Sequence, residues 1–338
     1  LETYYEALPD LVKESAIALG FFDGVHPGHQ VVIGKAKEEA QRLGVPCGVV
    51  TFKDHPRSVT RGRSPLLLTV IDQRLALFEK LGVDFALVLT FSEELCQLSP
   101  TDYVENMLVR SLGARSISVG PNHHFGKDRE GDASLLSKLG EKHNFSVHVA
   151  DMIKVKGHEV SSSAIRELIM NNELEQAALL LSRNYALAGT VVKGDQRGRL
   201  LGFPTANLAF NNFQVVPQRG VYVGLVKLGG RTLPSVVNIG LRPTFQQEQG
   251  APNADPNQPV NLVLTVEAHL LDFNEDIYGA AMEIEFLTFL RAEQKFNGAE
   301  ELKEQINKDI LKARKYLLDH GHNQTQTAQS KETDKLHA

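Results

Sequence analysis

His26 and His29 stand three residues apart in the stretch Gly20-Phe-Phe-Asp-Gly-Val-His-Pro-Gly-His29, which follows an apolar run and precedes a segment with helical periodicity. Across such a turn both imidazoles can face one anion and stabilise charge developing on a phosphorus centre. Gly24 and Gly28 let the backbone approach a ligand closely. A helix starting near His29 adds free N–H groups and the positive end of its dipole. The plain alternative is a turn whose histidines only hydrogen-bond locally. Further on, Ser161-Ser-Ser-Ala-Ile-Arg166 opens another helix. Its hydroxyls and N–H groups make an anion nest with Arg166 in reach, or simply an N-cap.

A second group of residues lies in the other half of the chain. The stretch Gly189-Thr-Val-Val-Lys-Gly-Asp-Gln-Arg-Gly-Arg-Leu-Leu-Gly-Phe-Pro-Thr-Ala-Asn207 spaces Gly189, Gly194, Gly198 and Gly202 along a strand–loop–strand. Such a backbone can wrap phosphates, with Lys193, Arg197 and Arg199 supplying positive charge. Thr205 and Asn207 are neutral oxygen donors two residues apart, so an extended chain turns both to one side, where they can hold Mg²⁺ and a terminal phosphate. A glycine-rich hairpin without function is the alternative. Glu267 falls in the alternating run Leu264-Thr-Val-Glu-Ala, where a solvent-facing position would explain an acid equally well. The chain has no G-x-x-x-x-G-K-[ST] phosphate loop, so any nucleotide chemistry uses other machinery.

The elements that must position these residues fall into two kinds. The chain has 338 residues, long enough for two domains, with 42% hydrophobic and 23% charged residues, a globular balance. A net charge of -5 implies no general affinity for polyanions, and no nucleic acid partner is expected. Cys47 and Cys96 fit no metal or disulfide pattern and suggest a reducing, cytoplasmic setting. No apolar run approaches the roughly 18–20 residues of a membrane span. The opening LETYYEALPD is unlike a signal peptide, and the missing initiator Met leaves room for residues upstream. In the first half, strands at Ala16–Leu19, Cys47–Phe52, Phe85–Leu89, Ser116–Val119 and Val147–Val149 alternate with helices. One helix runs from Gln30 to Leu43. Another is opened by a capping box at Thr69–Asp72 and runs to Leu81. A third, capped by Ser99, runs to Leu112. Helices over Ser161–Met170 and Leu174–Leu181 follow. This order predicts an open, doubly wound parallel sheet. Beyond Ser182–Tyr185 come β-rich runs at Gly189–Val192, Val221–Lys227, Leu233–Asn238, Leu262–Leu271 and Met282–Leu290, the pattern of an antiparallel barrel or sandwich. A final helix carries Leu302, Ile306, Ile310 and Leu317 on one face, with Asn297 and Glu300 as its capping box. Gln246–Pro259 reads as a mobile loop and the stretch from Asn323 as a disordered tail. The expected domains are 1–182 and 183–320, with 321–338 as the tail.

Taken in order, the motifs carry a resemblance. The Gly20–His29 stretch resembles the adenylyl-transferring nucleotidyltransferases. Together with Thr51-Phe-Lys-Asp-His-Pro-Arg57, Gly120-Pro-Asn-His-His-Phe-Gly126 and Ser161–Arg166, it is similar to the adenylyltransferase module of bacterial FAD synthases, across about residues 15–182. The Gly189–Asn207 stretch looks like the riboflavin kinase motif. Val237-Asn-Ile-Gly-Leu-Arg-Pro-Thr244, Glu267–Gly279 and Phe289-Leu-Arg-Ala-Glu-Gln-Lys-Phe296 extend that match, over residues 184–315 or so. The resemblance implies an α/β protein, with an N-terminal Rossmann-like nucleotidyltransferase domain and a C-terminal six-stranded antiparallel Greek-key β-barrel closed by a helix. It implies a bifunctional enzyme that turns riboflavin and ATP into FMN and ADP, then FMN and ATP into FAD and pyrophosphate, without a covalent enzyme intermediate. The alternatives are one retained activity or a flavin-binding regulator.

Carried over by position, ATP in the adenylyltransferase would meet Gly20, Phe22, Asp23, Gly24, His26, His29, Ser162, Ser163 and Arg166, with His26 and His29 catalytic and Asn122 and Phe125 on the flavin. In the kinase, ATP would meet Gly189, Val191, Lys193, Gly194, Gly198, Arg199, Gly202 and Pro204. Thr205 and Asn207 would hold Mg²⁺, Arg291 would touch flavin, and Glu267 matches the general base. The expected partners are riboflavin, FMN and ATP, with no membrane, in a monomer or transient homo-oligomer. The chain departs from the family pattern at Phe21 (frequently Asn), Lys53-Asp54 (Glu-Pro), His123 (an aromatic) and Ser163 (Thr, which keeps the hydroxyl).

Overall fold

The computed structural model describes residues 1–55, 65–244 and 261–322. Pro56, Arg57, the segment Gln246–Pro259 and the stretch from Asn323 lie outside the described residues. The chain forms two compact units. One is Leu1–Glu167 with Gln176–Arg183 and Phe213–Val215, and the other is Leu168–Glu175 with Asn184–Asn212 and Val216–Ala338.

In the first unit, parallel strands form a sheet whose four inner members are short runs buried on both faces, as such runs are when helices cover both sides, while the edge members are part-exposed. The strands are β1 (Glu2–Tyr4), β2 (Ser15–Leu19), β3 (Cys47–Phe52), β4 (Phe85–Leu89), β5 (Ala114–Val119) and β6 (Ser146–Val149), in the order β1-β4-β3-β2-β5-β6. Along β2 the side chains alternate between two cores. Ile17 and Leu19 join Val104, Leu108 and Leu136 on one face, while Ala16 and Ala18 join Val32, Ile33 and Phe78 on the other. The chain leaves β2 for β3 on one side, and β5 lies on its other side. That reversal opens a crevice at the strand carboxyl ends.

Helix α1 (Pro27–Leu43) starts on His26 with Pro27 in its first turn and stops at Gly44, whose φ of 68° suits a residue without Cβ. Helix α2 (Ile71–Lys80) differs from the expected capping box. Val70 is the N-cap, and Gln73 Oε1 accepts the Val70 N–H at 3.3 Å. Thr69 is drawn away because its hydroxyl accepts from Gly24 N–H at 2.9 Å. After α3 (Glu93–Gln97) and α4 (Pro100–Asp102), where Ser99 Oγ accepts Asp102 N–H at 3.1 Å, the expected α-helix continues instead as a π-helix over Tyr103–Ser111. Apolar spacing could not register this, since the buried positions Tyr103, Val104, Leu108 and Leu112 fit either winding. Helix α5 (Ala133–His143), capped by Asp132, was not expected from the sequence. The strands β7 (Lys154–Val155) and β8 (His158–Glu159) form a ribbon leading to α6 (Ser162–Met170) and α7 (Leu174–Leu181).

In the second unit, β9 (Tyr185–Val192), β10 (Ala206–Phe210), β11 (Gly220–Leu228), β12 (Arg231–Thr244), β13 (Asn261–Leu270) and β14 (Ala281–Arg291) close an antiparallel barrel in the order β10-β13-β12-β11-β14-β9. Strands β10 to β13 make the Greek key, with β10 returning beside β13. The glycine-rich stretch is not all loop, because α8 (Arg197–Leu201) folds inside it and ends at Gly202, φ 90°. Helix α9 (Ala299–Asp319) lays Ala313 and Leu317 against Val221, Val223 and Leu287 of the barrel wall. Its N-cap is Gly298, and Asn297 reaches Glu301 at 2.8 Å through its N–H, so Glu301 takes the role expected of Glu300.

Candidate active sites

A cavity of about 420 Å³ sits at the carboxyl ends of β2 and β5. Gly20, Phe22, Asp23, His26, His29, Asn122, Ser162, Ser163 and Arg166 all line it. The turn from β2 into α1 is tight, with left-handed φ at Phe22 (55°), Gly24 (84°) and Val25 (41°). Only glycine adopts that region freely, so Phe22 and Val25 hold a costly conformation. The turn stacks the His26 and His29 rings, with centroids 3.6 Å apart. His26 Nδ1 accepts His29 N–H at 3.4 Å, which leaves the His26 proton on Nε2 as a donor. Burial pushes the His26 pKa down to about 4, helped by Arg183 and Arg166. Burial, then His26, Arg74 and Arg183, hold His29 well below its ordinary value. Both rings are therefore neutral donors until an anion arrives, rather than standing charges.

Among the described residues, three buried nitrogens at this cavity have no hydrogen-bond partner: His29 Nδ1, Arg166 Nε and His123 Nε2. Orphaned buried groups are costly and point to a ligand that satisfies them. The Asp23 carboxylate, by contrast, is fully occupied. It accepts Leu68 N–H at 2.9 Å, Thr69 N–H at 3.0 Å and Arg166 Nη2 at 3.1 Å, so it braces the walls of the cavity that it lines. Ser162 Oγ donates to the Asp23 carbonyl at 2.9 Å, and Arg166 Nη1 donates to Ser163 Oγ at 3.4 Å. Gly24 sits behind the cavity, on Thr69. Phe125, expected on flavin, is in the core against Tyr103 and does not line the cavity. Its neighbour His123 does, stacked on Phe125 with centroids 5.8 Å apart and its pKa pushed down to about 4 by burial, then by His124 and Arg129.

The second unit places Thr205, Asn207 and Glu267 together. Asn207 pairs with Glu267 across β10 and β13, and Thr205 Oγ1 donates to Glu267 Oε2 at 3.2 Å. Gly194 covers this group, since a Cβ there would lie 2.3 Å from Asn207 Nδ2. A carboxylate, a hydroxyl and a carboxamide are hard oxygen donors that fit Mg²⁺ alongside phosphate oxygens. Beside them is a cavity of about 480 Å³ lined by Val191, Arg199, Pro204 and Thr205, and by the run Phe273–Tyr278. Lys193 Nζ lies 5.8 Å from the Tyr278 ring centroid. Gly189 is packed inside the barrel wall, where a Cβ would meet Ala209 O at 2.1 Å, and Gly198 lies under Phe203 O at 2.3 Å. Close backbone packing alone is enough to require glycine at these two positions. Arg291, expected on flavin, has its Nε and Nη2 on the buried Asp309 of α9 at 2.9 and 2.8 Å, which fastens the helix to the barrel.

Two family models match this chain, one described as FAD synthetase over residues 9–164 and one described as riboflavin kinase over residues 181–317. The bifunctional riboflavin kinase/FMN adenylyltransferase of Bacillus subtilis is 37% identical over 314 residues, 91% of this chain and 95% of that protein. The Escherichia coli protein of the same description is 34% identical over 303 residues, 89% and 92% of the two chains. The chain belongs to this bifunctional family. A crystal structure of a Streptococcus pneumoniae protein, described as a macrolide-efflux protein, matches with a TM-score of 0.79 at 25% identity, over 93% of this chain and 99% of that one. Among the described residues, no helix here is long and apolar enough to cross a membrane.

Within this family frame, the sequence reading passed over several residues. The run Phe273–Tyr278 was quoted as motif but not as lining. Arg74, Phe21 and His55 were missed at the first site, where Phe21 and His55 line the cavity with rings 4.7 Å apart. The departure of Phe21 from the frequent Asn was the available signal.

Proposed function

We propose that the second unit phosphorylates riboflavin and the first adenylylates the product. The functional division follows the chain as 1–182 for adenylyl transfer and 183–320 for the kinase. The observation that carries this reading is that each unit has its own cavity fitted to a polyphosphate. One has stacked neutral histidines and orphaned nitrogens, the other a Thr–Asn–Glu oxygen cluster.

In the kinase, Glu267 accepts the proton of the ribityl 5′-hydroxyl as that oxygen attacks the γ-phosphorus, and ADP leaves. Thr205 and Asn207 would hold Mg²⁺, which when bound neutralises charge on the phosphates. Thr205 also orients the Glu267 carboxylate. In the adenylyltransferase, an FMN phosphate oxygen attacks the α-phosphorus of ATP and pyrophosphate leaves. His26 and His29 donate N–H bonds to oxygens gaining charge, and Arg166 adds a cation held in place by Asp23. Most of the rate comes from positioning and fixed donors. We place these reactions in the cytoplasm, where free thiols such as Cys47 and Cys96 persist.

The test supplies purified protein with riboflavin, Mg²⁺ and ATP radiolabelled at the γ- or the α-phosphorus. FMN should carry the γ label and FAD the α label. Absence of both labelled products would end the proposal.

A further inference from the structure

The mechanism above leaves one buried cation unused. Arg74, on α2, is fully buried, and among the described residues no carboxylate lies within hydrogen-bond distance of it. Its partners are main-chain carbonyls and one hydroxyl. Nη1 donates to Phe21 O at 2.9 Å, Phe52 O at 2.9 Å and Thr51 Oγ1 at 3.3 Å, while Nη2 donates to Lys53 O at 2.8 Å. The guanidinium carbon sits 4.5 Å from the Phe21 ring centroid, and Nε is buried without a partner.

Burying an unpaired charge is unfavourable, so a fold keeps one only where something compensates. Here the compensation comes from three carbonyl dipoles, a π face and, beyond hydrogen-bond distance, the Asp23 and Asp54 carboxylates. The three carbonyls stand at the ends of β2 and β3, Phe52 as the last residue of β3 and Phe21 and Lys53 just past the strands. Phe21 begins the turn that carries His26 and His29. We propose that Arg74 is a positioning residue for adenylyl transfer: its planar fork ties the two strand ends under the cavity, and its charge favours an anion above them. This rests on the reading of that cavity as the ATP site. A polyphosphate would add to the counter-charge of Asp23, which Arg166 already engages at 3.1 Å. The fork matters because lysine can offer a charge but not parallel bonds to carbonyls from two strands.

Arg74→Met removes both charge and fork, and Arg74→Lys keeps the charge. FAD formation from FMN and ATP is followed across roughly pH 5 to 9. Arg74→Met should lower kcat by about tenfold or more and raise KM for ATP. It should also move the acid limb to higher pH. Burial, His26, Arg74 and Arg183 together hold His29 below its ordinary value, so losing the Arg74 charge makes it easier to protonate. Arg74→Lys should keep the parent acid limb and recover part of the rate. The proposal falls if Arg74→Met stays within about twofold of the parent. It also falls if the Met and Lys variants are equally slow with unmoved acid limbs, which would mean packing alone. Should the Met variant not fold, the Lys variant decides: a shifted acid limb overturns the proposal. A parent protein that makes no FAD would instead sink the reading of the site.

Discussion

At the scale of single residues, location decides role more than type does. Asp23, Phe125 and Arg291 each have side chains suited to ligands, and each also has a structural partner. Their partners Leu68, Tyr103 and Asp309 are distant enough in sequence that no local pattern announces them. Arg74 was equally hidden, since its place in the interior depends on carbonyls from two strands. The histidines were legible as a motif, but their neutrality was not, because it comes from burial. That neutrality has a consequence for stability. His26 and His123 have folded pKa values of about 4, below their unfolded value near 6.5. The unfolded chain binds more protons between those limits, so the associated stability is complete above about pH 6.5 and is lost as pH falls toward 4. His123→Phe keeps a ring on Phe125 and removes one titrating group. Its melting temperature should fall less than the parent's between about pH 7 and 5. Equal slopes for both proteins would contradict the argument.

At the scale of elements, the strands Cys47–Phe52 and Phe85–Leu89 were readable to the residue, because short runs buried on both faces carry a strong apolar signal. The three-residue edge strand Glu2–Tyr4 was not, being too short to show alternation. Nor was α8, whose five residues sit between glycines that also suit a loop. The Thr69 cap failed for a tertiary reason: its hydroxyl has a better use on Gly24 and Asp23. The Gly194 backbone over Asn207 offers a direct test of how β9 and β10 shape the kinase cluster. Gly194→Ala would push its Cβ to 2.3 Å from Asn207 Nδ2, so the carboxamide must move. FMN formation should drop by about tenfold or more, with a higher Mg²⁺ requirement, while FAD formation from supplied FMN holds. An unchanged rate would show that Asn207 does not need its present position.

At the scale of the whole molecule, two sites on one chain should be separable by point changes. His29→Ala should lower FAD formation by roughly 10²-fold or more and spare FMN formation, and Glu267→Gln should do the reverse. Each variant alone should fail to carry riboflavin through to FAD. Mixed in one tube, they should recover the full conversion, read by chromatography, because FMN made by one chain can be used by the other. Failure of the mixture, with each surviving activity intact, would argue against two self-sufficient sites. One feature of the turn between β2 and α1 bears on how such a protein would change under heat. Val25 holds φ at 41°, a torsion that a branched residue adopts only under constraint. Glycine there would relax the backbone but empty a core position, since Val25 is buried in the cluster of Val32, Ile33 and Phe78, so the chain should melt at a lower temperature while the stacked imidazoles are freed to wander. The torsion is therefore tolerated because the side chain that strains it also fills the interior, and heat would favour keeping both.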